Sequence, residues 1–196
     1  MIIYLDTETT GLCPGEICQL SYVIQEKGKF TAKNFFFSVE YVEPGAEAVH
    51  GFSVERLEKL SGGKNFSAFI DEIESDFTKA DCLVAHNKSF DFNFLLKEFS
   101  RCGRTLEIND SFCSMKSTVG LCKLSRPNSR GYKYPKLIEL CDKLGITQQD
   151  IAKACQILYG ENVGFHDASF DTVAVAFAVN IGVNRFEEFK GLKEYL

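Results

Sequence analysis

The chain has 196 residues, of which 45% are hydrophobic and 25% are charged, and its formal net charge is −5 at pH 7. These values are typical of one soluble globular domain that is long enough to bury a sizeable core. The acidic balance argues against a protein that coats nucleic acid non-specifically.

The first residues predict a protein that is neither secreted nor inserted in a membrane. Residues 1–10, MIIYLDTETT, lack the basic segment, apolar stretch and cleavage site of a signal peptide. No apolar run approaches the roughly 20 residues that span a bilayer. The eight cysteines form no C-x-x-C pair and match no zinc-site spacing. We therefore expect reduced, packed thiols and a cytoplasmic protein.

The first half of the chain predicts strands followed by helices that alternate with strands. Tight connections between the first three strands favour an antiparallel meander. Ser53 is a predicted N-cap, and apolar residues recur at helical spacing between residues 65 and 80. The expected strands cover residues 2–8, 17–26, 30–41, 81–86 and 106–115, and the expected helices cover 53–63, 65–80 and 89–103.

The second half of the chain is predicted to be a loop followed by helices. Residues 118–135 contain Gly, Ser and Pro and are typical of a loop. Helices are expected at 135–145, 147–160 and 166–182, with a short terminal helix at 184–196. This order predicts an α/β domain, a mixed sheet with helices packed on it, spanning residues 1–196. A domain boundary inside the loop is the alternative.

The first predicted strand carries two carboxylates where an apolar strand is expected. Asp6 and Glu8 follow Ile2, Ile3, Tyr4 and Leu5, and residues i and i+2 of a strand point to the same face. Buried carboxylates are rare unless they are paired or bind a metal. The pair therefore indicates a compensating cation.

Two further segments carry candidate catalytic groups. Asp91 lies in the first turn of an apolar helix, and His166 precedes an Ala- and Val-rich helix that contains Asp171 near its start. If these carboxylates meet Asp6 and Glu8, oxygen-only ligands favour Mg²⁺ or Mn²⁺ over zinc. Two such ions can clamp a phosphodiester during displacement, and a histidine can accept a proton near neutral pH. The spacing alone leaves open whether the four carboxylates converge and whether His166 merely begins the helix.

Three segments in this order resemble the motifs of the DEDD 3′→5′ exonuclease superfamily. They are DTETTGL (6–12), HNKSFDFNFL (86–95) and HDASFD (166–171). The H-x-x-x-x-D form of the third is typical of the DEDDh branch, which includes the bacterial proofreading subunit epsilon and ribonuclease T. The resemblance covers about residues 1–180 and includes the segments EICQLSYV, AEAVHGFS and YPKLIELCDKLGI.

The resemblance implies a fold and a catalytic set. The fold would be ribonuclease H-like, with a five-stranded mixed sheet, strand 2 antiparallel to the rest, and helices on both faces. Asp6, Glu8, Asp91 and Asp171 would bind two Mg²⁺ ions, or Mn²⁺, and His166 would be the general base. The presence of all five residues argues against a degenerate homologue that binds without catalysing a reaction.

The resemblance also implies contacts to the 3′-terminal nucleotide. The candidate residues are Thr7, Thr9, Gly11, Leu12, His50, Phe52 and Asn87. Leu12 would pack against the base and Phe52 would stack on one, whereas the alternatives are a turn with a buried Leu12 and a core position for Phe52. We favour a structural role for His86, with local hydrogen bonds, and a helix-capping role for Asp167.

A basic stretch between residues 111 and 138 holds six Lys and Arg residues and no Asp or Glu. Tyr132 and Tyr134 interleave there with Arg130, Lys133 and Lys136. This pattern suits single-stranded nucleic acid, and a solvated loop is the alternative.

The resemblance therefore implies a metal-dependent 3′→5′ exonuclease that acts on single-stranded nucleic acid, DNA in preference to RNA. It would release nucleoside 5′-monophosphates in proofreading, repair or end trimming. The alternatives are an exoribonuclease that trims RNA ends and a non-catalytic adaptor that binds nucleic-acid ends. A polymerase partner and a homodimer are compatible with the resemblance, and no membrane partner is expected.

Overall fold

A computed structural model describes residues 1–12, 15–127, 130–160, 164 and 166–196. Its five-stranded sheet has the order β3–β2–β1–β4–β5. The strands are β1 (Ile2–Thr9), β2 (Ile17–Glu26), β3 (Lys29–Phe36), β4 (Cys82–Ala85) and β5 (Ser111–Cys113). β2 pairs antiparallel with β1 and β3, whereas β1, β4 and β5 are parallel. The expected mixed sheet with an antiparallel second strand is confirmed.

Helices cover both faces of the sheet. They are α1 (Pro44–His50), α2 (Val54–Ser61), α3 (Ile70–Phe77), α4 (Lys88–Arg101), α5 (Ser114–Ser117), α6 (Val119–Cys122), α7 (Leu137–Leu144), α8 (Gln148–Tyr159) and α9 (Ala168–Gly182). Ile2 and Tyr4 belong to the core that α7, α8 and α9 form on one face. Ile3 and Leu5 belong to the core that α3 and α4 form on the other. β1 is therefore buried on both faces, which is why its sequence is a continuous apolar run.

The structure corrects several predicted boundaries. β3 ends at Phe36 rather than at residue 41, because the Ser38 N–H donates to the carbonyl of Lys64 and the chain leaves the sheet. The helix expected at 65–80 is divided into a 3₁₀ turn (Phe66–Ala68) and α3, because Phe69 has a non-helical φ of −118°.

The later part of the chain also differs from the prediction. The expected loop at 118–135 contains α6 and an isolated antiparallel bridge between Ser125 and Tyr132. The terminal helix is a 3₁₀ helix, Glu187–Tyr195. Two short helices, α1 and α5, were not predicted.

Two sequence expectations about the chain's environment can be compared with the structure. The cysteines of the described residues are free thiols, as expected. Within the described ranges, no helix is both long enough and apolar enough to cross a membrane.

Candidate active site

The C-terminal half of β1 places two carboxylates on the face that packs against α9. Ile2 and Tyr4 precede Asp6 and Glu8 on this face, in accordance with strand alternation. The pairing with β2 shifts register between Glu8 and Thr9, so the strand ends in a bulge beside the carboxylates. Glu8 is only 9% exposed.

Two helices bring further carboxylates to the end of β1. Asp171 lies in the first turn of α9, and Asp167 is the N-cap residue of this helix. The Asp167 carboxylate accepts a hydrogen bond from the Ser169 N–H, so the predicted cap is confirmed. One carboxylate oxygen each of Asp6, Glu8 and Asp171 lie within 4.8 Å of one another. The fourth carboxylate, in the first turn of α4, lies beside this group.

Thr7 fixes that fourth carboxylate, which belongs to Asp91. The Thr7 hydroxyl donates to Asp91 Oδ1 at 2.9 Å, and Asp91 is 2% exposed. The charge of Asp91 is among the causes that raise the pKa of Asp6, Glu8 and Asp171. The structure therefore gathers the four carboxylates that the sequence singled out.

Burial and mutual repulsion oppose ionisation of these carboxylates. Burial, followed by the charges of Asp171 and Asp91 among others, raises the pKa of Glu8 to about 8. Burial also raises the pKa of Asp91 and of Asp171 to about 7. The pKa of Asp6 is raised well above its ordinary value, first by burial and then by the charges of Asp91, Asp171, Glu8 and Asp167. Without a compensating positive charge, the cluster would hold protons at neutral pH.

One atom of the cluster indicates what compensates it. Asp171 Oδ1 is buried and has no hydrogen-bond partner among the described residues. A buried polar atom without a partner costs about 1–3 kcal/mol. Hard divalent cations take carboxylate oxygens as ligands, so one such ion would both satisfy this atom and neutralise the repulsion. The donor set therefore fits a divalent cation.

His166 occupies the turn that leads into α9. Its side chain is exposed and its backbone has a φ of 65°, in the left-handed region that costs a non-glycine residue about 1–2 kcal/mol. A backbone hydrogen bond from His166 to the Asp171 carboxylate partly offsets the effect of burial on the pKa of Asp171. The turn thus ties the histidine to the cluster through its main chain.

A cavity of about 420 Å³ adjoins the carboxylates, within the range of small-ligand sites. Five of the predicted contact residues line it: Thr7, Thr9, Gly11, Leu12 and His50. Leu12 is 76% exposed, which contradicts the alternative of a buried turn residue. The Thr9 hydroxyl donates to the Gly11 carbonyl at 3.1 Å and closes the turn after β1.

The structure contradicts the prediction that Phe52 stacks on a base. Phe52 is 2% exposed and packs in a small core with Phe36 and Leu57. Its N–H donates to His50 Nδ1 at 3.0 Å, and His50 Nε2 lies 3.2 Å from the Thr9 carbonyl. Phe52 therefore supports His50, which lines the cavity. The prediction of base stacking was wrong because this apolar side chain is buried in the core instead.

Asn87 and His86 precede α4. Asn87 is the exposed N-cap residue of this helix, and its contact with substrate stays a prediction. His86 is buried, and its two ring nitrogens lie 3.0 Å from Ser114 Oγ and 3.0 Å from the Pro135 carbonyl. These local hydrogen bonds match the structural role expected for His86.

Sequence analysis missed five residues that line the cavity, namely Glu43, Gly45, Ala46, Val49 and Phe90. Glu43 approaches Gly11 so closely that a Cβ on the glycine would lie 2.2 Å from the Glu43 carboxyl carbon. Its N–H donates to the Thr10 carbonyl at 2.7 Å. Phe90 adjoins Asp91, which was the available signal, but no local pattern pointed to Glu43.

Comparisons with known proteins agree with this geometry. The model of the RNase T family, described as exonuclease, matches residues 3–176. The epsilon subunit of DNA polymerase III from Salmonella typhimurium is 30% identical over 154 residues, 74% of this chain and 60% of that protein. A PolC-type DNA polymerase III from Mycoplasmopsis pulmonis is 28% identical over 205 residues, 97% of this chain and 12% of that protein.

A solved structure shares the fold. Escherichia coli Exonuclease I, in complex with a dT13 oligonucleotide, superposes with a TM-score of 0.71 at 20% identity. The superposition covers 99% of this chain and 42% of the Exonuclease I chain. The chain thus spans less than two thirds of the length of each of these relatives.

Proposed function

Because the chain belongs to the RNase T family of exonucleases, within the DEDD 3′→5′ exonuclease superfamily, we propose that it removes nucleotides from the 3′ end of single-stranded DNA. The convergence of Asp6, Glu8 and Asp171 within 4.8 Å, with Asp91 beside them, carries this proposal. The products would be nucleoside 5′-monophosphates.

The four carboxylates would hold two Mg²⁺ ions, with Mn²⁺ as the substitute. Oxygen-only donors and the unsatisfied Asp171 Oδ1 support this choice. When bound, such ions supply positive charge to the reacting phosphate and lower the pKa of a water molecule. The Thr7 hydroxyl keeps Asp91 oriented, through its 2.9 Å hydrogen bond.

His166 accepts the proton of the attacking water at its imidazole ring. Exposure of the ring allows it to reach solvent, and the tie between its main chain and Asp171 keeps it beside the cluster. A positioned general base contributes about 10²- to 10⁴-fold to a rate. His166 would thus accept the proton, and the four carboxylates would bind the cations.

The adjoining cavity receives the 3′-terminal nucleotide. Leu12 and Val49 are exposed apolar side chains on its wall, suited to the face of a base. Thr9 and His50 form part of its wall and are held by hydrogen bonds to the Gly11 and Thr9 carbonyls.

A preference for DNA rests on the relatives. The named polymerase subunits are of DNA polymerase III, and the Exonuclease I complex contains a DNA oligonucleotide. Association with a polymerase, formation of a homodimer, a cytoplasmic location and a role in proofreading or repair stay predictions. RNA trimming is the alternative that the experiment below separates.

The test uses 5′-labelled single strands of DNA and RNA with free 3′ hydroxyls. Each is incubated with Mg²⁺ or EDTA, and products are resolved by length. We expect the DNA to shorten stepwise from its 3′ end in Mg²⁺ only. The Asp6→Asn variant, which keeps the size of the side chain, should be inactive, whereas the exposed Asp142→Asn variant on α7 should match the wild type.

The outcomes separate the alternatives. Faster shortening of RNA than of DNA would assign the chain to RNA trimming. Binding of either strand without any shortening under Mg²⁺ or Mn²⁺ would refute the exonuclease proposal and favour an adaptor.

A further inference from the structure

The basic segment comprises the described residues 114–127 and 130–136. It begins directly after β5, at the edge of the sheet that carries the active site. The Met115 N–H donates to the His86 carbonyl at 3.0 Å. Lys116 Nζ donates to Ser89 Oγ at 3.0 Å, two residues before Asp91. One end of the segment is therefore fixed beside a proposed metal ligand.

The other end of the segment returns to the same edge. The Pro135 carbonyl lies 3.0 Å from His86 Nε2, and because a carbonyl only accepts, the imidazole must donate. Between these ends, Lys133 N–H donates to the Leu124 carbonyl at 2.8 Å, and Ser125 and Tyr132 pair as an antiparallel bridge. The described residues of the segment are therefore anchored at both ends and bridged between them.

Its charge differs from that of the rest of the protein. The protein carries −5, yet residues 111–138 contain six basic and no acidic residues. Lys133 pairs with Glu139, and the other five are exposed and form no ion pair with a described residue. Those five are Lys116, Lys123, Arg126, Arg130 and Lys136.

Two aromatic rings stand among these cations. Tyr132 is 44% exposed and Tyr134 is 52% exposed. Neither phenol makes a hydrogen bond, and neither ring stacks, within the described part of the chain. Cations interleaved with exposed rings are the arrangement by which proteins bind single strands without reading sequence.

The order of the strands separates this surface from the nucleotide cavity by one strand. The cavity adjoins the end of β1, whereas the basic segment follows β5, and β4 lies between them. Strands β1, β4 and β5 are parallel, so their C-terminal ends share one edge. A nucleic-acid strand whose 3′ terminus enters the cavity would pass the end of β4, which α4 and Asp91 follow, to reach the basic segment.

We infer that the basic segment is a second binding site for the substrate strand, which holds nucleotides on the 5′ side of the bond to be cut. The exposed cations contact phosphates, and Tyr132 and Tyr134 stack on bases. This inference rests on the proposed function for the identity of the strand. It predicts that affinity increases with strand length beyond the terminal nucleotides.

The experiment compares single-stranded DNA of about 3 and about 16 nucleotides, since binding sites for single strands cover roughly 4–16 nucleotides. For the wild type, KM should be lower for the longer strand. The Tyr132→Ala/Tyr134→Ala variant should raise KM for the longer strand by at least about five-fold and leave the shorter strand unchanged. Rescue is expected from the Tyr132→Phe/Tyr134→Phe variant, which keeps both rings.

A charge variant tests the phosphate contacts. Arg130→Gln should reduce the slope of log KM against log salt concentration for the longer strand by about 0.7.

The matched control for the loss of the tyrosine rings is Phe30→Ala. Phe30 is an exposed ring at the opposite edge of the sheet, where it pairs with Gln25 and Gln25 pairs with Ile2. For both the shorter and the longer strand, the KM of this control should equal that of the wild type.

Binding without turnover keeps the two proposals separable. Fluorescence anisotropy of the labelled longer strand in EDTA measures the second site directly, while hydrolysis of the shorter strand measures the exonuclease. Weaker binding of the longer strand by the double alanine variant supports the inference even if no strand is hydrolysed. Equal effects on both strands, or no effect on either, would overturn it.

Discussion

Removing one charge from the carboxylate cluster should stabilise the metal-free protein while abolishing activity. Asp171 is the sharpest position, because its Oδ1 has no partner among the described residues. The Asp171→Asn variant keeps the size of the side chain and removes its charge. Two magnitudes, one for charge repulsion and one that also includes burial, give the size of the effect.

The first magnitude is Coulombic. Two unit charges 4.8 Å apart repel by about 3.5 kcal/mol at an effective dielectric constant of 20. The second follows from the pKa of Asp171, which rises from 3.8 to about 7 on folding. At about 1.36 kcal/mol per unit, ionising this group in the folded state costs roughly 4 kcal/mol. The buried Asn amide, whose hydrogen bonds would be incomplete, costs about 1–3 kcal/mol, so the variant should gain about 2 kcal/mol in free energy of unfolding.

The sign of the pH dependence follows from the raised pKa. Because the folded protein binds the proton more tightly, the contribution to stability is present in full below pH 3.8 and is lost as the pH rises through about 7. Wild-type protein in EDTA should therefore melt at a lower temperature at pH 8.5 than at pH 5. The variant should exceed the wild type at pH 8.5 by about 4–8 °C, and the difference should shrink at pH 5.

Circular dichroism melts at both pH values, in EDTA and in Mg²⁺, measure these shifts. Mg²⁺ should raise the Tm of the wild type most at pH 8.5 and raise that of the variant less. The exposed Asp142→Asn variant should follow the wild type throughout. A variant that melts below the wild type in EDTA at pH 8.5, or a difference that does not change with pH, would refute the reasoning.

Three further predictions concern residues around the cluster. His166→Ala should lower kcat by about 10²- to 10⁴-fold in the labelled-strand assay and keep the stabilisation by Mg²⁺; an unchanged kcat would exclude His166 as the base. Gly11→Ala should raise KM, since its Cβ would lie 2.2 Å from the Glu43 carboxyl carbon, and a second change, Glu43→Ala, should restore KM if this clash is the cause. Glu98→Gln should lower the free energy of unfolding in urea by no more than about 1 kcal/mol, because the Arg101 side chain that it leaves without a charge partner is 39% exposed and is hydrated instead; a loss of about 3 kcal/mol would contradict this.

Strands were predictable where burial on both faces left an apolar run with clear ends. β2 covers residues 17–26, the predicted range, because a turn with Lys27 and Gly28 at positive φ ends it. Short helices were not predictable. α1 has 7 residues, about two turns, and begins at Pro44, so it is too short for a clear hydrophobic period of 3.6 residues to develop.

The site was predictable within one element and not between elements. Asp6 and Glu8 share a face by strand alternation, which is a local property. Their meeting with Asp91 and Asp171 depends on the packing of α4 and α9, which only the resemblance to a family supplied. Glu43 escaped prediction because its contact with the turn after β1 is made across more than thirty positions of sequence.

The need for cations follows from comparing the forces that act on Asp91 and Asp171. Both lie in the first turn of a long helix, where the helix dipole favours a negative charge by about 0.3–1 kcal/mol. The Thr7 hydroxyl adds about 1.5–3 kcal/mol at Asp91. Repulsion of about 3.5 kcal/mol for each pair among Asp6, Glu8 and Asp171 at 4.8 Å exceeds these contributions once several pairs are ionised, and the charge of Asp91 adds to it. Neutral backbone and side-chain groups therefore orient the carboxylates, and bound positive charge is required to keep them ionised together.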